Sequence, residues 1–176
     1  GDFNVALGVQ ALTTNTTADN NTAVGYQSLL SNSTGADNTA IGSGALDANT
    51  TGANNTAMGK NALGANTTAS NNTAFGYGAM LVNTTGNSCI AIGGDTLDAN
   101  TTGDNNIAIG QAALGANTTA ASNTAIGYTS MQQNTTGTQN TALGSGSLNA
   151  NTTASSNTAV GVNSLLSNTT GSLNTA

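Results

Sequence analysis

Proline, tryptophan, histidine, glutamate and arginine are absent from this chain, which holds a single cysteine and a single lysine. Each absence excludes something. Without histidine and with only Cys89, there is no zinc ligand set and no disulfide scaffold, and a nucleophilic thiol would have no imidazole to activate it. Seven aspartates stand against Lys60, a net charge of −6, so there is no cationic groove for nucleic acid and no electrostatic pull toward an anionic membrane. No apolar run approaches the length of a membrane span, so no membrane insertion is expected in this segment. The aspartates are scattered and lack a base or nucleophile partner, which argues against an enzyme. No calcium-solenoid Gly-Gly-x-Gly-x-Asp register is present, so neither a metal nor another cofactor is expected.

What remains is Asn, Thr, Gly and Ala in strict order. With 3% aromatic and 5% charged residues, the composition alone suits a disordered low-complexity tract. The spacing contradicts that. Glycines at 8, 25, 42, 59, 76, 93, 110, 127, 144 and 161 recur every 17 residues with no insertion or deletion. Ten 17-residue units therefore fill residues 4–173, with three residues before and three after, and the chain reads as one repeat array over 1–176. Gly1-Asp2-Phe3 fits the tail of a preceding unit and Asn174-Thr175-Ala176 opens another, as expected of a fragment of a longer array.

Within each unit the residue before the glycine is apolar (Val24, Ile41, Met58, Phe75), and so is the residue four after it (Leu29, Leu46, Leu63, Met80). Ala always lies two before the glycine, and a small residue lies three after it except at Thr96. Asn and Thr are weak helix formers and helical repeats are longer, while Asn-Gly and Asp-Gly hairpin turns are missing. The pattern predicts an all-β parallel β-solenoid with one repeat per coil. Thr-Ala-apolar forms a short strand, with Ala on one face and its neighbours on the other. Glycine turns the corner, a second short element carries Leu, and Asn-Thr-Thr makes the return turn, with Asn in left-handed geometry. Ten coils at about 4.8 Å give a rod on the order of 50 Å long, with Asn above Asn and Thr above Thr. Two large apolar side chains per coil are expected inside, and the Ala-rich face is expected to pack on other chains, making a homo-oligomer or polymer.

Two sets of residues are candidate sites. The triplets opening at Asn15, Asn32, Asn49, Asn66, Asn83, Asn100, Asn117, Asn134, Asn151 and Asn168 all fit the Asn-x-Ser/Thr acceptor pattern. Sugar on these Asn, or on threonines such as Thr16, Thr17, Thr50 and Thr51, would suit an uncharged rod that must stay soluble. The competing reading is turn chemistry with an Asn ladder. Tyr26, Tyr77 and Tyr128 recur every 51 residues, either as a trace of duplication in blocks of three units or as a surface contact every third coil. Regular threonine also raises an ice-binding solenoid, which needs a flat face with two Thr side chains on the same side of each strand.

Asn38-Thr39-Ala40-Ile41-Gly42, Asn123-Thr124-Ala125-Ile126-Gly127 and their equivalents, each followed by a small residue and Leu, resemble the head repeats of trimeric autotransporter adhesins (YadA-like) and related repeats of phage tail fibres. The resemblance covers every unit. It implies a left-handed β-roll, three chains around a shared axis, and an extracellular or cell-surface adhesive or fibrous role, with a virion as the alternative location. A surface glycan or host receptor would then be the partner. The present unit is longer than the usual head repeat, and Thr mostly stands where that family has Val.

Overall fold

The computed structural model describes all 176 residues and contains no helix. Ten three-residue strands run from β1 (Val5–Leu7) and β2 (Thr22–Val24) through β6 (Ile90–Ile92) and β7 (Ile107–Ile109) to β10 (Thr158–Val160). All lie in one parallel sheet in chain order. Residues 17 apart are partners, as in Ala6 opposite Ala23, so each repeat is one coil of a β-solenoid. Only 18 of the 115 backbone–backbone hydrogen bonds lie within the sheet. The rest close turns or zip neighbouring coils along the remainder of their circumference. Examples are Leu29 N–H to the Ala45 carbonyl at 3.0 Å and Thr50 N–H to that of Thr67 at 2.9 Å. Backbone groups that a buried turn would otherwise leave unpaired are thereby satisfied.

The strand faces are the reverse of the simple hydrophobic expectation. Ala points into the coil and is fully buried from Ala23 to Ala159, whereas Thr and the larger apolar residue point outward. Phe75 is 52% exposed and Leu143 45%. Each coil therefore buries one large apolar side chain, the Leu or Met four residues after the corner glycine (half-buried at Leu165 in the last coil), and not two. The Ala-rich face is interior and is closed to other chains. The physical reason is room. The strand methyl, the second small residue, the Leu anchor and two Asn side chains fill the narrow cross-section, and a larger strand residue would overpack it.

The corner glycines have φ between +123° and +138°, a region closed to residues with a Cβ. The second short element, after the corner, is a turn and not a strand. The Leu or Met anchor within it holds φ between 48° and 54°, the left-handed region that costs non-glycine residues roughly 1–2 kcal/mol. The turn Asn does bond its own backbone, since Asn49 Nδ2 donates to the Gly52 carbonyl at 3.0 Å. It is not left-handed, however. That geometry falls on the residue preceding the strand-side Asn, such as Asp37, Asn54 and Asn71, all near 60°.

Candidate functional surfaces

Two columns of asparagine run through the interior. One precedes the strand (Asn38, Asn55, Asn72) and the other opens the turn (Asn49, Asn66, Asn83), and all are buried. In the turn column Asn66 Nδ2 donates to Asn49 Oδ1 at 2.8 Å, and Asn49 Nδ2 to Asn32 Oδ1 at 2.8 Å. In the strand-side column each Oδ1 accepts the backbone N–H of the equivalent residue one coil on, as Asn38 Oδ1 does from Asn55 N at 2.9 Å and Asn72 Oδ1 from Cys89 N at 2.8 Å. Buried amides would be costly without partners. Here Asn15 Oδ1, on the first coil, is the one buried side-chain polar atom with none.

This arrangement corrects the glycosylation reading for asparagine. Asn32, Asn49, Asn66, Asn83, Asn100, Asn117, Asn134 and Asn151 are fully buried. Both Nδ2 hydrogens of a residue such as Asn49 are committed, at 2.8 and 3.0 Å. A sugar on that nitrogen would displace a ladder bond and find no space. Asn15 and Asn168, on the terminal coils, are half-buried, and they donate to the carbonyls of Ala18 and Gly171 at 3.0 and 2.9 Å.

The two turn threonines separate. The first is tied into the stack: Thr16 Oγ1 donates to the Ser33 carbonyl at 3.1 Å, and Thr50 Oγ1 to that of Thr67 at 2.9 Å. The second, as in Thr17 and Thr51, is exposed. Tyr26, Tyr77 and Tyr128 are exposed on three separate coils, just past the corner glycine. No strand presents two outward threonines, because the second outward residue is always apolar. That is not the geometry an ice-binding face requires.

Sequence reasoning missed the outward sheet face. Thr, Ile or (in β1) Val at one outward position and Val, Ile, Leu, Met or Phe at the other form a strip along all ten strands that carries no charge. Every aspartate and Lys60 lie off it. The period-two alternation defined this set of residues, but hydrophobicity alone assigned it to the wrong side.

Outside the strip lies one open depression of about 520 Å³, lined by Asp95, Asp98, Gln132 and Gln133 around Gly115. A Cβ added at Gly115 would sit 3.5 Å from Asp98 Oδ1, so the glycine leaves the space above that carboxylate open. Gly64 stands over Asp47 in the same way at 3.5 Å. Burial pushes both carboxyls above the usual range, partly countered by backbone N–H donors, and Asp95 adds repulsion at Asp98. No three His, Cys, Asp or Glu side chains converge anywhere. Cys89 replaces a strand-side Asn and is buried; burial pushes its thiol up to about 11.

No family model, curated protein or solved structure matches the chain.

Proposed function

We propose that this solenoid is a structural and adhesive rod of an extracellular fibre or filament, without catalytic activity, that self-associates through its outward sheet face. The observation that carries the reading is the uncharged strip. A chain of net charge −6 keeps every titratable side chain off one continuous line of outward apolar residues. A large exposed apolar strip on a soluble protein marks a contact surface, and a parallel arrangement of identical rods would cover it along their whole length. The resemblance to trimeric adhesin heads supports three chains around an axis and a cell-surface setting; the same resemblance supports a tail-fibre shaft on a virion. A surface glycan or receptor would meet Tyr26, Tyr77 and Tyr128, a role that their exposure supports.

Sedimentation equilibrium of the purified chain tests the assembly. A trimer is expected for the parent, and a monomer with unchanged far-ultraviolet circular dichroism for Ile92→Asp combined with Ile109→Asp. A monomeric parent at tens of micromolar would refute self-association. Antibody labelling of intact source material, viewed by electron microscopy, should decorate filaments on a cell or virion; cytoplasmic label alone would refute the location.

A further inference from the structure

We propose that the second threonine of each turn, Thr17 and every seventeenth residue from it to Thr170, is an O-glycosylation site, so that one edge of the rod carries a row of sugars. Three observations converge on this residue.

The first is exposure. All ten of these threonines are exposed, whereas the turn Asn two residues earlier is buried in eight of the ten coils. The second is hydrogen bonding. The preceding hydroxyl is used by the fold, as in Thr84 Oγ1 to the Thr101 carbonyl at 3.0 Å and Thr135 Oγ1 to that of Thr152 at 3.0 Å. The hydroxyls of Thr85 and Thr136, next in sequence, make no bond.

The third is invariance. The other exposed positions of the repeat have diverged. The residue after the corner glycine is Val, Tyr, Ser, Lys, Gly or Gln, and the residue before the strand-side Asn is Asn, Asp, Ser or Gln in the internal turns. Duplication alone would have let the second turn threonine drift in the same way, yet it is Thr in all ten units. The fold gives its hydroxyl no task. A chemical requirement for that hydroxyl explains an invariance that packing does not.

The chemistry is a glycosyl transfer from an activated sugar, such as a nucleoside diphosphate sugar, by a separate transferase. Threonine Oγ1 forms a bond to the anomeric carbon, the bond from that carbon to the phosphate oxygen breaks, and the nucleoside diphosphate leaves. The hydroxyl proton passes to the transferase's base. Acceptors stand about 4.8 Å apart along the rod, so the sugars form a ridge. With 5% charged residues, the rod is hydrated chiefly by neutral hydroxyl and amide groups, to which the sugars would add more. The row lies in the return turn, off the sheet strip, and the inference rests on that surface alone and not on the fibre reading.

The test uses protein from its own source, cleaved at aspartate and sequenced by electron-transfer fragmentation. Expected are hexose or hexosamine increments on the second threonine of the triplets and none on the Asn or the first threonine. Unmodified threonine throughout, sugar confined to Asn or to the first threonine, or a phosphate in place of sugar would each overturn the proposal. A second measurement removes the structural explanation of the invariance. In chain made without the transferase, Thr68→Val with Thr85→Val is expected to leave the melting temperature unchanged. A clear fall would show that the hydroxyl serves the fold, and would equally overturn it. Bare threonine on a native filament would leave the filament reading standing.

Discussion

Asn38 and Asn49 donate to one oxygen: their Nδ2 atoms lie 2.8 and 3.0 Å from the carbonyl of Gly52. Both lone pairs of that carbonyl are thereby used. Asn55 and Asn66 do the same to the Ala69 carbonyl at 2.9 and 3.1 Å, and Asn123 and Asn134 to that of Gly137 at 2.8 and 2.9 Å. The two interior columns are therefore one network, joined at each coil from Gly52 to Ala154, with Cys89 standing in for Asn at Gly103.

Placing a carboxylate in that network should break it. Asn66→Asp keeps the shape but loses both Nδ2 donors, so oxygen faces oxygen at Asn49 Oδ1 and at the Ala69 carbonyl. A loss of about 3 kcal/mol or more is expected at pH 7. The buried acid's folded pKa is raised above its unfolded value of about 3.9. The penalty therefore grows as pH rises through and above that value and is relieved on acidification. Thermal unfolding of parent and variant between pH 3 and 7 reads this; a pH-independent difference would contradict it.

Cys89 makes the same two contacts as the Asn it replaces, but through sulfur. Its Sγ lies 3.3 Å from the Gly103 carbonyl and 3.5 Å from Asn106 N. Cys89→Asn should restore the amide network and stabilise the chain by about 1 kcal/mol. In the parent the thiol is buried, and burial holds it neutral, with its pKa pushed up to about 11. Maleimide labelling at pH 7 is expected to be slow until denaturant opens the coil. Rapid labelling of folded protein would show that the network does not close over sulfur.

The left-handed anchors make an unusual comparison possible. Leu97 is fully buried at φ 53°. Leu97→Ala should cost about 2–5 kcal/mol through lost burial and a cavity. At an ordinary site Leu97→Gly would cost about 0.5–1 kcal/mol more than Ala. Here glycine releases the backbone strain, so the two variants should unfold at equal denaturant concentration, or the Gly variant later.

Two glycines should respond oppositely to one methyl. At Gly110 φ is +127°, and an added Cβ would stand 2.5 Å from the Gly127 carbonyl oxygen of the next coil. Gly110→Ala should cost on the order of 3 kcal/mol from strain and steric conflict together, and should open the rod there to limited proteolysis. Gly64 has no left-handed φ and a nearest contact of 3.3 Å, at a position that holds Thr, Leu, Asp, Gln or Asn in every other unit but that of Gly115. Gly64→Ala should lie within about 0.5 kcal/mol of the parent.

Asp47 and Asp98 give the parent its own pH dependence. Both folded pKa values are raised by burial. Folding therefore favours the protonated forms, and their destabilising effect appears as pH rises from about 4. Relative to Asp47→Asn with Asp98→Asn, the parent should gain melting temperature on moving from pH 7 to pH 4. Parallel curves would mean that the two carboxyls are fully solvated.

Much of this was legible in the residues themselves. The spacing of Gly25, Gly42 and Gly59 fixes one coil per repeat, because a solenoid tolerates no drift between layers. Leu29 and Leu46 were identified as anchors by their recurrence. Val24 and Ile41 were misplaced because hydrophobicity says that an apolar residue seeks burial, but not against what. The interior has room for Ala23 and Ala40, and the larger residues face out. For the turn Asn, the glycosylation pattern and the ladder are the same three letters. Only burial, with both amide hydrogens engaged, separates them.

The sequence by itself determined the architecture: a 17-residue period, small residues at close approaches and glycine at each corner leave a stack of parallel coils as the one structure that uses them all. The tertiary structure alone decided what lies inside. A strand's two faces are equivalent until a coil closes on one of them, and the width of that coil admits a methyl and two bonded amides but no second aliphatic chain. The same closure forces Leu97 and its counterparts into left-handed backbone, buries Asn49, and leaves Thr51 outside with its hydroxyl free.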